Sequence, residues 1–384
     1  MTDFAAAAPI ALALALLSGG AALAQQQAAA APGDAARLQR VASFEHQVTG
    51  VTVAADGRIF VNFPRWTEDA PVSVAEVTKS GEVKPYPDEE WNAWRNAKKD
   101  QITPNDHFVC VQSVVADGRG NLWVVDAAAP ATAHVVPGGP KLIRIDLRTN
   151  HVAQTIPFVE AVAPQGSYLN DVRFSPDGRR AYLTDSGAKG ALVVVDLQSG
   201  GARRVLDGHA STQPEKGVVV RTDGRALRRS DGRGVEFAAD SIALSPEGRH
   251  LYWKALTGRT LYRIATEALD DPRLSVGELE SRIERVGESE PTDGLWIDKR
   301  GRLYLSSIED NAVKIRDGGR DTTLVQDDRL RWPDTFSEGP DGTIYITTSR
   351  IQDMSWFKPE TGPRLTTQLW RIEGAGEARS GGRR

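Results

Sequence analysis

The chain has 384 residues, 40% hydrophobic and 26% charged, with a formal net charge of −4. That length suits two or three ordinary domains or one large closed β architecture. The composition is that of a globular chain, and the acidic balance supplies no basic footprint for nucleic acid.

In chain order, the N-terminus comes first. Residues 5–17 are apolar, and the small-residue site Ala22-Leu23-Ala24 precedes Gln25. This predicts a signal peptide over residues 1–24, cleaved after Ala24, and a secreted or periplasmic protein. Its n-region, MTDF, carries Asp3 and no Lys or Arg. The apolar run is too short and too rich in Ala for a spanning helix, so no stable membrane span is expected after cleavage. Residues 25–37 read as a low-complexity linker and residues 374–384 as a disordered tail. Residues 38–373 remain for the folded unit.

Within that unit one pattern recurs six times. TGVTVAADGRIFVNF starts at Thr49, QSVVADGRGNLWVVD at Gln112 and NDVRFSPDGRRAYLTD at Asn170. DSIALSPEGRHLYWKA starts at Asp240, DGLWIDKRGRLYLSS at Asp293 and DTFSEGPDGTIYITTS at Asp334. Each reads as a strand, a tight turn and an apolar-aromatic strand, the turn Gly supplying the positive φ a hairpin needs. KLIRIDL, ALVVVDL, TLYRIAT, AVKIRD and QLWRIEG read as third strands, and HVAQTIPF and ARRVLDG as fourth ones. Four strands per unit and six units predict an all-β fold, a six-bladed β-propeller with short helical insertions. One such insertion is expected at DEEWNAWRNAKK, from Asp88.

Register makes the repeat informative. Eight positions before the turn glycines (Gly57, Gly120, Gly178, Gly248, Gly301 and Gly342) stand Thr49, Gln112, Asn170, Asp240, Asp293 and Asp334. In a propeller the innermost strands line the central channel, so these polar residues are expected to ring one of its mouths. The oxygen donors of Asn170, Asp240 and Asp293 suit Ca²⁺ or another divalent cation rather than a softer metal. The same acids can instead accept backbone N–H groups in a water-filled channel. They can also attract an ammonium group, with Trp332 and Phe108 as candidate aromatic walls; packing between blades is the alternative for both rings. Asp293 is the candidate general base.

Other signatures are absent. The sequence holds no HExxH, nucleophile elbow, P-loop or dinucleotide fingerprint. His46, His107, His134, His151, His209 and His250 lack metal-ligand spacing, and Cys110, the one cysteine, sits in an apolar run as an expected inert thiol. Two long insertions, from Gly208 and from Ser349, are candidate covers of the channel.

The stretches Tyr168-Leu169-Asn170-Asp171, Thr184-Asp185-Ser186-Gly187, GALVVVDLQSG from Gly190, ADSIALSPEGRHLYWKALTGRTLYRI from Ala239 and TDGLWIDKRGRLYLSSIEDNAV from Thr292 carry a resemblance. The chain resembles the yellow/major royal jelly protein family from about Val41 to Glu373. The resemblance implies a secreted six-bladed propeller. In that family some members bind small amines in the channel, and some yellow proteins are credited with dopachrome conversion. The insect members' disulfides have no counterpart here, as in a bacterial-type member. More distantly, the chain is similar to gluconolactonase-like propellers, which hold a divalent cation at inner-strand starts. Asn170 and Asp293-Gly294 match that pattern, whereas Thr49-Gly50 stands where those enzymes place Glu before Gly.

The favoured expectation is recognition of a small polar or aromatic molecule at the channel by a monomer. A calcium-dependent lactonase, a dopachrome-type isomerase and a non-catalytic interaction scaffold are the alternatives.

Overall fold

The computed structural model describes residues 37–132 and 134–373. The signal segment, most of the linker and the C-terminal tail lie outside the described residues. Strand β1 (Leu38–Phe44) is followed by a first blade of β2 (Val51–Val53), β3 (Ile59–Asn62), β4 (Val74–Val77) and β5 (Val83–Pro85). The second holds β6 (Val111–Ala116), β7 (Asn121–Asp126), β8 (Lys141–Asp146) and β9 (His151–Pro157). The third holds β10 (Leu169–Phe174), β11 (Arg180–Asp185), β12 (Ala191–Asp196) and β13 (Ala202–Val205). After a small hairpin, β14 (Arg221–Thr222) and β15 (Arg225–Ala226), comes the fourth: β16 (Ala239–Leu244), β17 (His250–Ala255), β18 (Thr260–Ala265) and β19 (Glu284–Glu288). The fifth is β20 (Thr292–Ile297), β21 (Leu303–Ser307), β22 (Ala312–Asp317) and β23 (Arg320–Gln326), and β24 (Pro333–Glu338), β25 (Ile344–Thr348) and β26 (Thr367–Ile372) complete the chain.

Each blade is a four-stranded antiparallel sheet, and the fourth strand of the sixth is β1, in the order β1-β26-β25-β24. The first strands pack in a closed circle, β2 on β6, β6 on β10, β10 on β16, β16 on β20, β20 on β24 and β24 back on β2. The structure is therefore the six-bladed propeller the repeat predicts. The N-terminal strand closes the ring, which leaves no unpaired edge between first and last blade. All six hairpin glycines sit at positive φ, from 71° to 85°, so the turn chemistry read from the sequence is the turn chemistry used.

Apolar residues of neighbouring blades interleave. Trp123, Val125 and Leu142 of the second blade share one buried cluster with Val172, Leu183 and Val193 of the third. Burying each such side chain contributes about 1.5–3 kcal/mol, which is what holds blade to blade.

The expected helix after Asp88 does not form. The segment is a series of turns with a three-residue 3₁₀ stretch, Asn96–Lys98. Asn92 explains this. Its Oδ1 accepts from Ser73 and Val74 N–H, its Nδ2 donates to the Tyr86 and Asp88 carbonyls, and its own carbonyl accepts from Arg65. These tertiary bonds take polar groups that a helix would otherwise pair with itself. Helical insertions do occur elsewhere, as α1 (Thr266–Asp270) and α2 (Val276–Glu280), between β18 and β19.

Candidate functional site

The ring positions coincide with irregularities in the inner strands. The ladder register shifts between Val111 and Ser113, Leu169 and Val172, Ala239 and Ser241, Thr292 and Leu295, and Pro333 and Phe336. Gln112, Asn170, Asp240, Asp293 and Asp334 therefore all lie inside bulges, which re-aim a side chain at the expense of a ladder bond. In three blades the backbone N–H after the ring residue goes to a hydroxyl on the second strand: Asp171 to Thr184, Gly294 to Ser306 and Thr335 to Thr347. Two of these hydroxyls in turn donate to the next blade's ring residue, Thr184 to the Asp240 carbonyl and Thr347 to that of Thr49. The polar ring is thus stitched through the backbone from blade to blade.

Gly294 permits the closest of these approaches. A Cβ built on it would stand 1.8 Å from the Asp334 carbonyl oxygen, so the Asp-Gly pair of the fifth blade is demanded by packing against the sixth.

A cavity of about 290 Å³ opens at this end of the channel. Gln112, Asn170, Asp240 and Asp293 line it together with Trp66, Tyr168, Phe237 and Trp356. Of the other ring members, Thr49 is fully buried; it accepts from Asn62 and donates to the Gln112 carbonyl. Asp334 accepts from the Thr335 hydroxyl. Neither is part of the cavity wall.

The two aromatic candidates are also placed differently from the expectation. Phe108 is packed in the core against Trp91, ring centroids 5.1 Å apart. Trp332 is completely buried and holds its backbone at φ 53°. From that unusual conformation its indole N–H donates to Asp293 Oδ2 at 2.5 Å. It therefore orients the acid instead of facing the cavity.

Hydrogen bonds divide the lining into two chains. On one side Asn170 Nδ2 donates to Ser186 Oγ at 2.9 Å and to Asp240 Oδ2 at 3.0 Å. Asp240 is hydrogen-bonded in turn to Asp293. On the other side Trp66 Nε1 donates to the Tyr168 hydroxyl at 2.5 Å, which donates to Gln112 Oε1 at 3.0 Å. Tyr168 is itself set by Asp185, whose carboxylate accepts the Tyr168 N–H and is paired with Arg204.

The electrostatics follow from burial. Burial, and then the charges of Asp293 and Asp334, hold the Asp240 carboxyl well above the usual carboxylate range. Burial and the Asp293 charge do the same to Asp334. Asp293 is pushed up to about 6 by burial, against the opposing pull of the Trp332 N–H and the Asp240 bond. Burial and mutual repulsion thus favour the protonated form throughout this group of acids. Like charges this close cannot all ionise without a counter-ion.

As a metal site this set does not fit. The carboxyl pair is turned on itself, and the Asn170 amide presents its N–H₂ to Asp240. Among the described residues, no group of three or more His, Cys, Asp or Glu is placed to hold a metal ion.

Both insertions do reach the cavity. The first contributes Arg229, with Glu236 and Phe237 just after it, and the second contributes Ile351 and Trp356. The Arg229 guanidinium lies over the Trp356 ring, 5.2 Å from its centroid, and Trp356 meets Trp66 at 6.0 Å. Arg331 ties the two insertions, pairing at 2.9 Å with both Asp223 and Asp353.

Trp66, Tyr168, Phe237 and Arg229 were not singled out as site residues from the sequence. Tyr168 carries the one usable signal, two positions before Asn170. The others come from loops of unequal length, where the repeat offers no register.

Comparison with known proteins gives three kinds of likeness. Major royal jelly protein 5 of Apis mellifera is 24% identical over 270 residues, covering 67% of this chain and 42% of that protein, so the chain spans less than half of this relative's length. Solved structures similar in fold include a gluconolactonase from Xanthomonas campestris, with 13% identity, coverage of 87% and 89%, and a TM-score of 0.50. The calcium-binding protein regucalcin from Agrobacterium tumefaciens is also similar, with 14% identity, coverage of 86% and 92%, and a TM-score of 0.51. At such identities these structures share the architecture alone. The model of the family described as major royal jelly protein matches residues 109–345, more than half of the chain, and the chain belongs to that family.

Proposed function

We propose that the protein recognises a small molecule with one aromatic and one hydrogen-bonding end in the cavity at the channel mouth. The observation that carries this reading is the two-sided lining. Trp66, Tyr168, Phe237 and Trp356 supply aromatic surface, and across from them stand Asn170, Asp240 and Asp293. A cavity of about 290 Å³ lies at the small end of ligand sites, which run from about 300 to 1,000 Å³. A carboxyl accepts, and donates when protonated, so between Asp240 and Asp293 a hydroxyl or amine of the ligand finds a partner of either polarity.

The same pair favours a second reading. A carboxyl held near 6 beside a second one that burial also raises is poised both to take and to give a proton. With the ligand's ring held by Trp66 and Trp356, Asp293 can remove a proton from one atom while Asp240 delivers one to another. That is the proton balance of a tautomerisation.

Thermal unfolding with a panel of catecholamines, indoleamines, sugar lactones, Ca²⁺ and EDTA tests these readings. A ligand that binds only the native state at 100 times its Kd adds about 2.7 kcal/mol. Stabilisation by an aromatic member, lost in Trp356→Ala, is expected. Stabilisation by Ca²⁺ together with lactone turnover would overturn the binding reading in favour of a hydrolase, and silence across the panel would favour an interaction scaffold. Export is proposed on the N-terminal pattern alone, and sequencing the N-terminus of the protein from the native host's medium or periplasm checks it.

A further inference from the structure

A second and larger cavity, about 630 Å³, lies in the groove between the second and third blades. It shares no residue with the channel cavity. Its aromatic floor is the half-buried Phe174, stacked on the buried Trp123 with ring centroids 5.0 Å apart. Arg119, Arg144 and Arg179 surround it, and Asp117 is the single acid among the lining residues. The groove is therefore locally cationic on a chain of net charge −4.

The state of each charge decides what the groove can take. Asp117 is occupied by its own turn and wall, accepting from the Arg119 and Asn121 N–H groups, from Asn121 Nδ2 and from Trp123 Nε1. Arg119 lies flat against Gly178, where a Cβ would come within 2.9 Å of its guanidinium, and donates to the Pro176 carbonyl. Arg179 is largely exposed and 3.8 Å from Asp177.

Arg144, on the third strand of its blade, differs from both. It is half-buried, and its guanidinium lies 5.9 Å from the centre of the Trp123 ring. Its Nε is buried with no hydrogen-bond partner, whereas its two terminal nitrogens are not among the buried, unpartnered atoms, and no ion pair forms on Arg144 among the described residues. A half-buried guanidinium with no acid beside it is incompletely compensated, and an anion at its terminal nitrogens relieves that cost. The guanidinium fork matches a carboxylate or a phosphate in two parallel bonds.

We propose that this inter-blade groove is a second binding site, for a small organic anion. Its carboxylate, sulfate or phosphate group pairs with Arg144 and Arg119, and its apolar or ring-shaped body rests against Phe174, Ala153 and Leu197. Gln154 is committed to the Leu197 carbonyl, which fixes the far wall.

Isothermal titration of the intact protein at low salt, with benzoate, phenyl phosphate and inorganic phosphate as separate probes, tests the proposal. The organic anions are expected to bind more tightly than inorganic phosphate, because only they use the aromatic floor. The ranking of benzoate against phenyl phosphate identifies the head group. Arg144→Gln is expected to weaken binding about tenfold or more, the loss of a charged hydrogen-bonding partner, and Arg144→Lys less. Raising the salt to 0.5 M is expected to weaken it further. If Arg144→Gln does not fold, the exposed pair Arg119→Gln and Arg179→Gln carries the test, with binding weakened in the double variant. Failure of all three probes to bind the wild-type protein, or equal binding to wild type and the folded variants, overturns the proposal and leaves Arg144 as a cover for Trp123.

Discussion

Replacing Asp293 by Asn isolates the energy stored in the buried acid pair. Asn keeps the shape, its Oδ1 can accept the Trp332 indole N–H, and its amide can donate to Asp240. What disappears is the titration of Asp293 and its charge on Asp240 and Asp334. Asp293 titrates at about 6 in the folded protein, against 3.8 for an unperturbed side chain. The gap is about two pH units at about 1.4 kcal/mol each, or roughly 3 kcal/mol. Between those two values the unfolded chain has released the proton and the folded chain still holds it. The unfolded state then binds fewer protons, and stability falls as pH rises. The penalty is absent below pH 3.8 and complete above pH 6. Asp293→Asn is therefore expected to match wild type near pH 4 and to be more stable by about 1–3 kcal/mol at pH 7–8, an order-of-magnitude figure. Urea unfolding followed by tryptophan fluorescence at pH 4, 5, 6, 7 and 8 measures it. Taking the difference between the two proteins cancels the groups remote from the site; Asp240 and Asp334, which the Asp293 charge raises, relax in the variant and add to the gain in the same direction. A difference that stays constant across pH 4 to 8, or one that favours wild type increasingly as pH rises, would refute the reasoning.

Three other outcomes are expected. Gly294→Ala places a methyl 1.8 Å from the Asp334 carbonyl, so it should cost about 3 kcal/mol or more; denaturant unfolding within 1 kcal/mol of wild type would contradict the close approach. Burial pushes the Cys110 thiol up to about 12, so native protein should not react with a thiol reagent at pH 8 until it is unfolded; stoichiometric labelling of the folded state would show that the thiol is accessible. Removing residues 1–44 deletes β1, leaves β26 paired on one side only and loses the buried Leu38, Ala42 and Phe44; a loss of several kcal/mol and a tendency to associate through the open edge are expected, and a monomeric truncated protein of wild-type stability would refute the closing role of β1.

Much of this molecule was legible in its sequence because the relevant physics is local. A strand, a glycine turn and a second strand form one unit, and six such units in one register determine both the propeller and which residues begin its inner strands. Counting back from the turn glycines therefore found Gln112, Asn170, Asp240 and Asp293, which the cavity brings together, along with Thr49 and Asp334, which lie outside its wall. Offset along the chain specifies where a residue enters the ring but not where its side chain then turns.

The remainder depends on residues far apart in the chain. Asp240 and Asp293 come into hydrogen-bonding contact because two blades meet there, and Trp332 turns from a candidate wall into a donor because its backbone folds it under Asp293. The helical pattern after Asp88 yields to Asn92, whose partners include Arg65, Ser73 and Val74, well before it in the chain. The cavity walls come from loops whose lengths follow no repeat, and β1 finds its partner over 300 residues away. The amino-acid sequence by itself determined the blades, their turns and the polar register. Only the tertiary structure decided which acids face one another and which rings enclose them, because burial and contact between blades set protonation and side-chain direction.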